Sequence, residues 1–240
     1  MGSIVWTSHR GLHKKYVENT REAFAAAVNA GFTSLETDLR LSSDGHIVLH
    51  HDPSMERTAG QSLEIRNLTL KQFQETGFIG GQKGMSLQDL FDDFSKFRWI
   101  FDVKPEMGSQ TLEALKSWAE KNKAEGWILG QVRFLLWSSR DEIYLQELFP
   151  GAVSLAREPE CQRAGFSVLL GLPFLSGIKA GRAYAVPPRF WGLGLFTRRI
   201  INSYKARGAK VIGYLPESKE ELDLAIQMGV DEILTNGEPQ

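Results

Sequence analysis

The chain has 240 residues, of which 42% are hydrophobic, 24% charged and 10% aromatic, an ordinary balance for a globular protein. Lys and Arg number 28 against 29 Asp and Glu, and the formal charge of −1 argues against the basic face that nucleic-acid binding requires. A single cysteine, Cys161, excludes a disulfide framework and a cysteine-built zinc site, and no apolar run reaches the roughly 18 residues of an integral membrane segment.

The N-terminus shows neither the basic region nor the apolar stretch of a signal peptide. Trp6 stands where an N-myristoylation motif at Gly2 needs Ser or Thr, so a cytoplasmic location is expected. Short apolar runs at 3–8, 33–40, 98–103, 131–137, 152–156, 183–187, 210–215 and 231–235 predict eight strands. Helical patterns near 19–30, 86–96, 109–124, 139–149, 157–165, 194–207 and 217–228 alternate with them. Such alternation predicts right-handed βαβ units, and eight strands in this length predict an α/β protein of the (β/α)8 TIM-barrel type. One domain is expected over 1–240. No glycine-rich phosphate loop follows a strand, which weakens a doubly wound alternative.

The first predicted strand ends in Ser8-His9-Arg10-Gly11, and strand ends are where barrel catalytic groups collect. The second reads Leu35-Glu36-Thr37-Asp38-Leu39, so Glu36 and Asp38 share one face and the apolar residues the other. Two carboxylates on one inward face repel each other and lose hydration unless a cation lies between them. Asp44-Gly45 then signals a hairpin. If those two residues form the turn, Asp38 lies opposite His51, whereas His50 faces the other way. Residues 53–85 read as a polar insertion in the second βα loop. In the third strand, Asp102 and Lys104 share a face, and Asp102 completes a three-carboxylate, all-oxygen set suited to Mg²⁺ or Ca²⁺. His9 and His51 are candidates for general acid and base, and Arg10 and Lys104 for neutralising an anionic substrate. Arg10 could also pair with Glu18, and Lys104 with Asp102. Asn19 is as well suited to capping a helix as to contacting substrate. Asp52 either orients His51 or opens the following loop. His13, His46 and His50 have no converging context, and Cys161 reads as a structural thiol. The stretch Phe190–Phe196 suits helix docking, pocket lining or a lipid-like group.

His9-Arg10-Gly11, Glu18-Asn19-Thr20, Glu36-x-Asp38, Asp44-Gly45 and His51-Asp52, in that order and spacing, resemble the glycerophosphodiester phosphodiesterase family. Asp102-x-Lys104 resembles its Glu-x-Lys strand, and Gly229-Val230-Asp231 with Thr235 its closing segment. The resemblance implies a (β/α)8 barrel that hydrolyses a small-molecule glycerophosphodiester to glycerol 3-phosphate and an alcohol, with a divalent cation. It also implies Glu36, Asp38 and Asp102 as metal ligands, His9 and His51 as the acid/base pair, Arg10 and Lys104 as phosphate contacts, and Asn19 as support for the site. Asp102 is one methylene shorter than the family's usual Glu. Ser138-Ser139, Tyr214–Glu217 and Asn236 also depart from its pattern, which leaves the leaving group open. A lysophospholipase D acting on single-chain lipids and a silent phospho-ligand-binding barrel are the competing readings. The oligomeric state is not legible.

Overall fold

The computed structural model describes residues 4–240; Gly2 and the expected strand start at Ser3 lie outside the described residues. Two compact units divide the chain. The larger comprises Ser8–Ser154 with Glu238–Gln240, and the smaller, of the described residues, Ile4–Thr7 with Leu155–Gly237.

Strand β1 (Val5–His9) enters the larger unit at Ser8, and its last residues lie beside β2 (Ser34–Leu41). β3 (Ile47–Leu49) returns antiparallel on β2, while β4 (Arg98–Val103), β5 (Val132–Leu135) and β6 (Val153–Ser154) follow in parallel. The register pairs Asp38 with Asp102 across β2 and β4, which sets both carboxylates on one face. On the other face Leu35, Leu39, Trp99 and Phe101 are fully buried. Trp99 packs edge-on against Phe24 of α1 (Arg21–Asn29) at 5.2 Å, so β2 and β4 bury an apolar side under helices as the alternation predicts.

The hairpin differs from expectation by one residue. Leu41 pairs with Ile47 and Leu39 with Leu49, so the loop is Ser43-Asp44-Gly45 and His50, not His51, lies opposite Asp38. The cause is Ser42. Its Oγ donates to Asp44 at 2.6 Å and accepts from the His46 N–H at 2.9 Å, closing a three-residue loop with Gly45 in the left-handed region (φ 78°).

The insertion is more than a polar excursion. Met55, Ile65, Leu68, Phe73 and Phe78 form a small core with Val48, built on α2 (Glu56–Ala59) and α3 (Leu70–Thr76). A Thr69/Gln72 capping box starts α3. The remaining helices of this unit are α4 (Leu87–Phe94), α5 (Gly108–Lys121), α6 (Glu125–Gln131) and α7 (Ser139–Leu148). The helix expected over 109–124 is α5, which stops at Lys121 just before Lys123 turns the backbone left-handed (φ 53°), and α6, which was not expected, follows it.

In the smaller unit, β7 (Ala183–Val186), β10 (Lys210–Tyr214) and β11 (Glu232–Thr235) run parallel. A short hairpin, β8 (Arg189–Phe190) with β9 (Leu193–Gly194), follows β7. α8 (Glu158–Leu169), α9 (Arg198–Lys205) and α10 (Lys219–Met228) cover a core that includes Tyr184, Ile201, Tyr204, Val211 and Ile233. Among the described residues, eight principal strands alternate with helices in chain order, the element pattern of the (β/α)8 class. Among the described residues no helix is long and apolar enough to cross a membrane.

Candidate active site

The site is built where β1 ends. Arg10 and Gly11 both take left-handed backbone, φ 59° and 79°, and turn the chain sharply after His9. A Cβ on Gly11 would stand 2.5 Å from the Ala23 carbonyl carbon, so only glycine allows this turn to pack on α1. The turn delivers the Arg10 N–H to Glu36, 3.1 Å from its carbonyl and 3.2 Å from Oε2. The Arg10 guanidinium reaches Asp38 Oδ2 at 3.0 Å and Glu18 Oε1 at 3.2 Å.

Glu36, Asp38 and Asp102 are all buried, and one oxygen from each lies within 4.8 Å of the others. Lys104 Nζ sits 2.7 Å from Asp38 Oδ1 and 2.6 Å from Asp102 Oδ2. The contact with Asp38 is one of charge, since Oδ1 has no well-directed hydrogen bond. Trp137 Nε1 donates to Asp102 Oδ1 at 2.7 Å, and its ring lies 5.8 Å from Lys104 Nζ.

Burial, reinforced by Asp38, pushes the Glu36 carboxyl well above its ordinary value. Burial raises Asp102 as well, against the pull of Lys104. For Asp38 burial acts upward too, but Lys104 and Arg10 outweigh it and hold the group low. Lys104 is desolvated, yet Asp38 and Asp102 keep its pKa raised. Three buried carboxylates thus face two cationic side chains, and Glu36 is the least compensated. Hard oxygen donors gathered this closely fit a divalent cation.

Asn19 resolves one open choice. Thr20, not Asn19, is the N-cap of α1. From a left-handed backbone (φ 58°), Asn19 donates Nδ2–H to Asp38 Oδ2 at 2.8 Å and accepts from Thr37 Oγ1 at 2.8 Å. Arg10 pairs with Glu18, and Lys104 with Asp102, so these structural partnerships coexist with positions in the acidic cluster.

His9 is buried with Nε2 3.8 Å from Glu36 Oε2, and its ring centre lies 6.5 Å from that of His13. His51 is partly exposed, and its Nδ1 meets Asp52 Oδ1 at 2.7 Å, so Asp52 orients it. Asp52 Oδ2 accepts from Arg57 Nε at 2.6 Å, and Arg57 Nη2 donates to Glu18 Oε1 at 2.7 Å. Glu18 therefore joins the His51 side of the network to the Arg10 side. His50, by contrast, points into the insertion, bonded to Thr58 Oγ1 at 2.8 Å and packed on Phe73 and Phe78. His46 is exposed at the hairpin loop.

The sequence reading missed Trp137 as a partner of Asp102; its place just after a predicted strand was the available signal. It also missed the link from Arg57 to Glu18, since pairs 39 residues apart leave no local pattern. Ser138 caps α7 and donates to Asp141 Oδ2 at 2.6 Å.

Parallel strands whose ends gather three buried carboxylates, with the His9 imidazole 3.8 Å from Glu36, place these groups where α/β barrels build their sites. Residues 9–158 match the model of the Glycerophosphoryl diester phosphodiesterase family, and the chain belongs to that family. A glycerophosphodiester phosphodiesterase from Caldanaerobacter subterraneus is 25% identical over 95% of this chain and 92% of its own. A glycerophosphoryl diester phosphodiesterase domain from Mycobacterium tuberculosis superposes with a TM-score of 0.81 at 16% identity, covering 99% of this chain and 97% of its own. A phosphodiesterase from Oleispira antarctica, solved with the product sn-glycerol-3-phosphate, gives a TM-score of 0.74 at 17% identity over 98% and 93%.

Proposed function

We propose that this chain hydrolyses glycerophosphodiesters to glycerol 3-phosphate and an alcohol, using a divalent cation held by Glu36, Asp38 and Asp102. The observation that carries the reading is the meeting of these three buried carboxylates with Arg10, Lys104 and His9 where β1, β2 and β4 end. Family membership supports the reaction class, and the product bound to the Oleispira antarctica relative supports the product.

When bound, Mg²⁺ or Ca²⁺ supplies Lewis-acid polarisation of a phosphoryl oxygen. The chain's own residues do the rest. Arg10 and Lys104 offset the charge of the phosphodiester, and Arg10 is the better suited to a forked contact. Asn19 and Trp137 hold the Asp38 and Asp102 carboxylates in place. Of His9 and His51, one takes the proton from the nucleophile, either water or the neighbouring glycerol hydroxyl; by the second route a cyclic phosphate forms, and water then opens it to glycerol 3-phosphate. The other gives a proton to the departing alkoxide as its bond to phosphorus breaks. With its Nδ1 held against Asp52 Oδ1, His51 has its Nε2 left for this exchange.

A panel of glycerophosphodiesters differing only in the alcohol, with glycerol 3-phosphate release as the readout, tests the reading. Release from at least one member is expected, and no release from any overturns it.

A further inference from the structure

The smaller unit exposes an apolar patch that its core does not need. Trp191, Phe174 and Leu170 are 83%, 75% and 74% exposed, and Leu175, Leu193 and Phe166 are exposed beside them. Ring contacts and chain connections join its parts. Phe166 on α8 meets the rings of Phe190 and Trp191 at 5.3 and 6.0 Å, and those two stack at 5.0 Å. Leu170 lies one helical turn beyond Phe166, Leu193 pairs with Phe190 across the hairpin, and the short turn Pro173–Leu175 follows directly on α8. Leu195 and Phe196, from the same aromatic stretch, do the ordinary packing work and are buried. Soluble monomers rarely leave a large contiguous apolar patch uncovered unless something binds there.

Charge says what covers it. Between Glu160 and Glu217 there are nine Lys and Arg and no Asp or Glu, in a chain whose formal charge is −1. Three of these cations border the patch. Arg163 lies one turn before Phe166 and donates to the Ser176 carbonyl, Arg199 abuts Gly171, and Arg189 precedes Phe190 in the hairpin. Arg163, Arg198 and Arg199 have no carboxylate partner among the described residues, whereas Arg189 pairs with Glu221. A second copy meeting the same face would set like charges together. Trp, Phe and Leu side chains ringed by arginines match the apolar boundary and anionic headgroups of a bilayer.

We infer that the face formed by the end of α8, the turn Pro173–Leu175 and the β8–β9 hairpin docks on anionic lipid bilayers. Docking is independent of the proposed hydrolysis. It places the enzyme at a surface without setting its chemistry.

The test is sedimentation of the full-length chain with phosphatidylcholine vesicles, with and without about one-third phosphatidylglycerol, at about 0.05 and 0.5 M salt. Binding is expected to the anionic vesicles only and to weaken at high salt. Trp191→Ser with Phe174→Ser should cut the bound fraction at least tenfold. Arg189→Glu with Arg199→Glu should do the same, since each cation near an anionic surface is worth roughly fivefold in affinity. Both double variants should keep wild-type circular dichroism and wild-type turnover of a water-soluble diester. Failure of the native chain to sediment with anionic vesicles overturns the inference. So does binding that either folded variant retains, or a concentration-dependent dimer that the apolar substitutions dissolve while vesicles remain unbound.

Discussion

Asn19 donates its side-chain amide to Asp38 at 2.8 Å from a backbone held at φ 58°. A non-glycine residue in that region is strained, and such strain persists only where the surroundings impose it. Here the Arg10 carbonyl accepts the Asn19 N–H at 3.0 Å, and Thr37 holds the amide oxygen. Asn19→Ala should therefore release Asp38 without removing a ligand. Partners of metal ligands are typically worth about 10–100-fold in affinity or activity, and a loss of that size in cation affinity is expected. Calorimetric titration with Mg²⁺ or Ca²⁺ checks it, and unchanged affinity would deny Asn19 its positioning role.

Gly11 tests the turn itself. Adding a Cβ both strains a backbone at φ 79° and drives a carbon into the Ala23 carbonyl. Gly11→Ala should cost about 2–5 kcal/mol from strain and overpacking together. At roughly 2–4 °C per kcal/mol for a chain of this size, thermal unfolding should fall by at least about 4 °C. A melting temperature within a degree of wild type would contradict the packing described for this loop.

Asp52 gives a pH dependence with a definite sign. Burial alone would raise its carboxyl, but His51 and Arg57 bring it down to about 2 from an ordinary 3.8. A depressed acid contributes stability above its ordinary value, and that contribution fades as pH falls from about 4 towards 2. Arg57 is half exposed, so solvent screening keeps the contribution below about 1 kcal/mol. Urea midpoints of wild type and Asp52→Asn should differ at pH 6 and converge near pH 2. An equal gap at both values would remove Asp52 as the source.

The histidines separate an enzyme from a silent binder. His9→Ala and His51→Ala should each lower kcat by about 10²–10⁴-fold. The one acting as general acid should matter less for a nitrophenyl diester than for an alkyl diester, because nitrophenolate leaves without a proton. Losses below tenfold for both variants would break the acid/base assignment.

The strand pattern of Glu36-x-Asp38 and Asp102-x-Lys104 made the acidic cluster legible, because a period of two fixes which side chains share a face. His51 was legible as a candidate, but not its register. Ser42 lengthens the hairpin loop by a residue through side-chain bonds that alternation does not encode. The insertion's core was hidden for a similar reason. Met55, Ile65, Phe73 and Phe78 are too widely spaced to show a period, and only folding brings them onto Val48. Trp137, set just past a predicted strand, carried a positional hint and no motif.

The central claim is that Glu36, Asp38 and Asp102 hold a divalent cation which the hydrolysis requires. The direct measurement is glycerol 3-phosphate release by EDTA-stripped enzyme, titrated with Mg²⁺ or Ca²⁺ and compared with Asp38→Asn and Glu36→Gln. Stripped wild-type enzyme should be inactive and regain turnover saturably with added cation, whereas both folded variants should bind the ion weakly and stay inactive. Full turnover by the stripped enzyme, or restored turnover in the variants at the wild-type cation concentration, would contradict the account.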